Sequence, residues 1–327
     1  MDYRALLREL DRLVAETYNL WEAGWVTFNW RNYTYDHVQR VRGLTMTLCS
    51  REGGDPVVCE LASLLHDITK PYDGEYLVDA EGKRVVDSGG YWRNVPRPPA
   101  RRNEITELYD ALGLVGELHN VSGAAVARAI LRRRGMDDGT CERVARTIRD
   151  HLKAPDDAPM ESRCLSDADT IDANIGLPAF VRNIYIHLHF RDQRLGSGDV
   201  PTDRLIGEMP LDYLRPYFCE ELPRWSEGKR RDFIPRLMTD SGVRMAEERL
   251  GVLTETWAQL RDELAAFPIT SRRGATAAVL HLMRHREDPS ISAEAAYLTD
   301  EWLAADSVLP EARAFVERLQ REIAGLS

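Results

Sequence analysis

Residues 56–70, PVVCELASLLHDITK, set a histidine and an aspartate side by side at the end of an almost wholly apolar run. Two ionisable groups placed there would be desolvated together, which is costly unless something compensates. A bound divalent cation removes the difficulty, because neutral imidazole and carboxylate are both good ligands for such ions. One His-Asp pair is a weak signal, and its context strengthens it. His37 lies near the start of the preceding amphipathic segment, and DADTID at 167–172 opens a later helical one. Lys70 stands one turn beyond Asp67 and Arg40 one turn beyond His37, so each cation faces the same way as its neighbour and suits a substrate anion.

Helices have to position these groups. Leu6, Leu7, Leu10, Leu13 and Val14 recur at helical spacing in residues 2–24, and Val38, Val41, Leu44 and Leu48 form a stripe in 36–52, which Gly53-Gly54 ends. Pro56 opens a buried helix expected over 56–70. Residues 71–104 break the pattern: YLVDAEGKRVVD reads as two short strands around a Glu-Gly turn, and GGYWRNVPRPPARR as an aromatic, basic loop. Helices are expected again at 105–118, 122–135, 138–152 and about 167–190, the last with Ser166-Asp167 as its N-cap. The remainder is helical, most regularly at 238–266 and 292–305, with a linker expected near GSGDVPTD (196–203). The fold class expected is all-α: a helical domain over 1–195 with an insert at 71–104, and a helical extension over 196–327 packed on it.

A net charge of −10 and a pI near 5.4 exclude a nucleic-acid polymer as the natural partner. Five scattered cysteines without CxxC spacing exclude a zinc finger and a disulfide framework. No run approaches about 18 apolar residues, so no membrane span is expected. The first residues read as an amphipathic helix of mixed charge rather than a leader, and a cytoplasmic location is the expectation. A homo-oligomer is compatible with the apolar helices of 196–327.

The order His37, then His66-Asp67, then an aspartate in an Ala-Asp-x-Ile setting resembles the HD superfamily of metal-dependent phosphohydrolases over roughly residues 34–190. The resemblance implies a helical HD bundle in which His37, His66, Asp67 and Asp169 ligate metal. His119, before SGAAVARAILRRRG, and His151, closing CERVARTIRDHL, fill the two further positions used by members with two metals. Lys70 matches a position where many members carry lysine. The implied cofactor is one or two divalent transition-metal ions, manganese or iron first, with cobalt, nickel, zinc and magnesium as alternatives.

Such a site suits hydrolysis of a nucleotide or another small phosphorylated substrate by a metal-activated water. Lys70 would neutralise developing charge, and Asp67 or His119 would manage protons. In the insert, Trp92 and Arg93, with Arg97, Arg101 and Arg102, suit a lid that meets the substrate. A second reading uses the same ligands: HD-fold diiron oxygenases, inositol oxygenase among them, oxidise small polar substrates with dioxygen, and inositol oxygenase also carries the lysine. YTYDHVQRV at 33–41 looks more like the hydrolase branch. A third reading is a nucleotide-sensing or assembly protein on the same scaffold. Asp167 is the rival of Asp169, and Asp172 a candidate outer neighbour. His187, His189, His281 and His285 read as structural, and the arginine run at 132–134 as a solvated face.

Overall fold

The computed structural model describes residues 2–22, 30–86, 88, 93–194, 220–266, 274–282, 288–304 and 308–326. Two compact units divide the chain between Ser166 and Asp167. The architecture is all-α, with one small hairpin. The expected linker at 196–203 lies outside the described residues. No helix among the described residues is long and apolar enough to cross a membrane.

In the first unit α1 (Tyr3–Tyr18) starts on Asp2, whose side chain accepts from Ala5 N–H at 3.2 Å. Helix α2 (Arg31–Glu52) stops at Gly53, which takes φ of 84° and returns its N–H to Cys49 O. Helix α3 (Pro56–Leu65) is capped by Asp55 and has Pro56 in its first turn. It packs against α1, α2, α5 (His119–Arg133) and α6 (Asp138–Asp150), so its leucines are buried all round. Each such leucine contributes about 2 kcal/mol of transfer free energy. Between α3 and α5 lie the insert and α4 (Glu104–Ala111), which opens on an Asn103–Thr106 capping box.

The insert is paired differently from the expectation: the arms of the Glu-Gly turn meet in a bridge between Val78 and Arg84, and the strands proper lie outside them. Strands β1 (Glu75–Tyr76) and β2 (Asn94–Val95) pair antiparallel. Its inner turn bends at Glu81 and Gly82, where Asp79 Oδ1 accepts from Glu81 N–H and Lys83 N–H. The arginine run behaves as a surface brace: Arg132 pairs with Asp138 and Glu142, and Arg134 with Glu9 and Glu104, tying α5 to α6, α1 and α4. The four described cysteines are buried and no disulfide joins them, and Cys219 lies outside the described residues.

Helix α7 (Met160–Asn174) starts earlier than the sequence suggests, so Ser166-Asp167 does not open it. A break at Ile175-Gly176, with φ of 110° at Gly176, separates it from α8 (Leu177–Arg194). The second unit continues with α9 (Leu222–Asp232), α10 (Asp240–Ala266), α11 (Ala275–Leu282), α12 (Ile291–Tyr297) and α13 (Pro310–Ile323).

Three buried carboxylates in this unit meet helix starts, and each has a glycine beside it. Asp167 accepts from Met238 N–H, Thr239 N–H and Thr239 Oγ1–H at the start of α10, where a side chain on Gly242 would collide with it. Glu263 accepts from Ala275 N–H and Thr276 N–H at the start of α11, beside Gly274. Glu322 accepts from Leu177 N–H at 2.8 Å, beside Gly176.

Glu322 is the least supported of the three, and burial pushes its carboxyl up to about 7 despite Arg249, with Asp172 adding to the rise. An unfolded glutamate ionises near 4.5. Each step of pH from there to about 7 therefore favours the unfolded chain, by roughly 3 kcal/mol across the window. Glu322→Gln keeps an acceptor for Leu177 and removes the titration. Melting temperatures at pH 5 and pH 8 should differ less in that variant than in the unsubstituted chain. An equal difference in both would show that Glu322 is ionised throughout.

Candidate metal centre

Helix α3 stops at Leu65, so His66 and Asp67 stand in the turn that follows. The expected continuation to 70 fails because Pro71 has no amide hydrogen and restricts the residue before it. The chain tightens instead, with Ile68 N–H to Leu65 O, Lys70 N–H to Asp67 O, and a tight helical turn over Lys70–Asp73. Tyr18 of α1 donates to Asp67 O at 2.8 Å and holds that turn from the far side.

Four imidazoles converge on the Asp67 carboxylate, which is wholly buried. Nε2 of His37 and of His66 lie 3.6 and 3.5 Å from Oδ2. Nε2 of His119 and of His151 lie 3.5 and 3.8 Å from Oδ1. These separations exceed hydrogen-bond lengths. They suit donors that share an ion, since two ligand atoms each about 2.1 Å from one metal lie roughly 3–3.5 Å apart. The ligand atoms of His37, His66 and Asp67 fall within 4.8 Å of one another, and those of Asp67, His119 and His151 do the same. Asp67 belongs to both groups, one oxygen to each.

Second contacts aim the rings. His66 Nδ1–H donates to Ser63 O at 2.7 Å and His151 Nδ1–H to Ile148 O at 2.6 Å, each a carbonyl in the last turn of the preceding helix. His119 Nδ1–H donates to Asp73 Oδ2 at 2.6 Å. A proton on Nδ1 leaves the Nε2 lone pair for an ion, which is the usual second contact of metal-ligating histidine. His37 stacks on Tyr33. Helix α5 comes close enough to present His119 because Gly123 lacks a side chain: a Cβ there would lie 3.1 Å from His66 O. Thr69 Oγ1 donates to His119 O and meets Ser122 Oγ at 2.8 Å, fastening the turn to α5.

Burial alone would raise the Asp67 carboxyl, but Lys70, then His66, His119 and His37, hold it well below the usual carboxylate range. Lys70 Nζ donates to Oδ2 at 2.5 Å. Burial would lower His119, yet Asp73 and Asp67 outweigh it and raise its pKa. Asp67 Oδ1 and His119 Nε2 are buried and have no hydrogen-bond partner among the described residues. Uncompensated groups of this kind cost about 1–3 kcal/mol each. A divalent cation fits such a donor set.

The structure thus brings together five of the sequence-predicted residues, His37, His66, Asp67, His119 and His151, with Lys70 on the same carboxylate. Arg40 is buried, its guanidinium 5.2 Å from the centre of the Tyr33 ring. Arg93 is exposed in the insert hairpin, and Trp92 lies outside the described residues. Asp169 is half-buried on α7 in the second unit. Its rival Asp167 is engaged with Met238 and Thr239, just before α10. His281 pairs with Glu294 at 2.7 Å and stacks on Tyr297, while His285 and the side chains of His187 and His189 lie outside the description. Sequence reasoning missed Asp73 and Tyr18. Asp73 is one acid in a polar loop and Tyr18 one aromatic on an amphipathic helix, so neither carries a signal in its own segment.

The family model for the HD domain matches residues 34–174. This stretch of the chain is an HD domain. The HD superfamily is one of metal-dependent phosphohydrolases, and its His and Asp cluster here is compatible with a divalent ion. Among solved structures, that of selenomethionine-substituted YpgQ from Bacillus subtilis is 17% identical, covering 80% of this chain and 96% of that one, with a TM-score of 0.40. YpgQ in complex with ADP is 18% identical, covering 80% and 97%, also at 0.40. Likenesses this distant carry no conclusion about activity. No curated protein matches the sequence.

If the HD-domain cluster holds ions, metal-stripped protein titrated with manganese(II) or cobalt(II) should melt higher. The gain should be about 2.7 kcal/mol when free metal exceeds Kd a hundredfold. Asp67→Ala should abolish the shift. A melting temperature that neither metal moves in the unsubstituted chain would show that the cluster holds no ion.

Proposed function

We propose that the chain is a metal-dependent phosphohydrolase acting on a nucleotide or another small phosphorylated metabolite. One observation carries the reading: the buried Asp67 carboxylate offers one oxygen to the His37–His66 pair and the other to the His119–His151 pair. That geometry suits a carboxylate bridging two ions. Asp169 enters as a sixth ligand on its match to the family pattern alone. Divalent ions bound there would polarise a phosphoryl oxygen and lower the pKa of a coordinated water.

The protein's own groups then have distinct tasks. Lys70 presents an ammonium on the Oδ2 side, partly open to solvent, where it neutralises charge on a phosphate during bond cleavage. Arg40 is a second proposed cation, buried with its guanidinium over the Tyr33 ring. Arg93, exposed on the hairpin, and Trp92 are proposed to meet the substrate from the insert. Asp67 and His119 orient the reacting groups, and His119 can hold a proton shared with Asp73.

The same ligands accept two irons, which keeps the HD-fold oxygenase as the competing reading. Elemental analysis of protein purified without added metal, followed by a nucleotide and sugar-phosphate panel, separates them. Manganese, cobalt or nickel with release of inorganic phosphate is the expected result. Two irons per chain, oxygen uptake and no phosphate release would overturn it. Lys70→Ala should retain wild-type metal content and lose about 10²–10³ in kcat, the usual cost of one charge-stabilising donor. Unimpaired turnover would remove Lys70 from the mechanism.

A further inference from the structure

The rings of the cluster are held by different second contacts. Behind His37 and His66 are an aromatic ring and a backbone carbonyl. Behind His119 is a carboxylate, Asp73, at 2.6 Å. Asp73 ends the tight turn that Lys70 begins, so one turn touches both sides of Asp67: Lys70 reaches Oδ2 directly and Asp73 reaches the Oδ1 side through His119.

That turn is held firmly. Tyr72 stacks flat on Tyr109, centroids 3.7 Å apart, and meets the edge of Trp21. Gly74 follows with φ of 59°, and a Cβ there would lie 1.7 Å from Val95 O, so only glycine lets the root of the insert close on this turn. Arg97 N–H reaches back to Tyr72 O, and Trp21 Nε1–H donates to Arg97 O. The base of the hairpin therefore fixes where Asp73 stands.

The geometry points to Asp73 as the positioning residue of the His119–His151 ion, so that the root of the insert governs loading of this second ion and not the first. The inference rests on the binuclear reading above. A carboxylate accepting Nδ1–H fixes the ring's tautomer and orientation and increases the basicity of Nε2, and losing such a contact typically weakens metal affinity about 10–100-fold. Asp73→Asn keeps an acceptor without the charge, and Asp73→Ala removes both.

Cobalt(II) titration of the metal-free full chain tests this, read by the visible absorption of each equivalent and by competition with a chromophoric chelator. In the unsubstituted protein two equivalents should bind with distinct spectra. In both variants the first should keep its spectrum and affinity, while the second weakens about 10–100-fold in Asp73→Ala, less in Asp73→Asn, with a changed spectrum. Circular dichroism of the isosteric Asp73→Asn variant guards against simple misfolding. Two equivalents bound by Asp73→Ala with both spectra and affinities unchanged would overturn the inference and leave the binuclear reading standing. An unsubstituted chain that binds fewer than two equivalents would overturn both.

Discussion

The first unit is organised around one expensive act, the complete burial of an ionised carboxylate. Desolvation works against the charge on Asp67, and a lone buried anion would protonate or unfold its surroundings. Here four imidazoles and one ammonium are drawn to it from α2, the end of α3, the start of α5 and the end of α6. The packing of α3 against α1, α2, α5 and α6 is what delivers these groups to one point. Its leucines provide the apolar stabilisation, and the polar cluster sits where that helix runs out.

Helix termini supply the fine adjustment. His66 and His151 each follow the last residue of a helix and return Nδ1–H to a carbonyl three residues back. One contact thus ties the ring to the end of its helix and chooses the tautomer. His119 opens a helix instead, where no such carbonyl is available, and a carboxylate from the preceding turn takes that place. The different partner follows from which end of a helix bears the ligand.

The chemistry was legible in the sequence where residue type conflicted with environment. His66-Asp67 at the end of an apolar run is such a conflict, and His37, His119 and His151 became readable through their order along the chain. The hairpin turn at Glu81-Gly82 was legible from turn chemistry. The end of α3 was misjudged because the apolar pattern persists past it, whereas Pro71 acts backward on the preceding backbone. The start of α7 was misplaced because Asp167 has the character of a helix cap, yet its oxygens accept from the residues just before α10 rather than from its own helix. Asp73, Tyr18 and Gly123 act through contacts distant in sequence, and a single residue of common type leaves no local trace of such a contact.

The chain shows three ways to bury an acid, and comparing them bears on the site. Asp167 and Glu263 are surrounded by backbone N–H and hydroxyl donors at helix starts, which stabilise the anion directly. Glu322 receives less, and its carboxyl moves up towards neutrality, so it solves the problem by keeping its proton. Asp67 does neither. Its Oδ1 has no hydrogen-bond donor among the described residues, yet its neighbours hold the group well below the usual carboxylate range. An acid that stays ionised without donors needs positive charge close by. Lys70 supplies it on the Oδ2 side, and His66, His119 and His37 add to it. On the other side stand two imidazoles, one with its Nε2 likewise lacking a hydrogen bond and 3.5 Å away. With the His119 proton on Nδ1 towards Asp73, its Nε2 and the bare Asp67 oxygen are both electron-pair donors, and a cation satisfies both at that spacing.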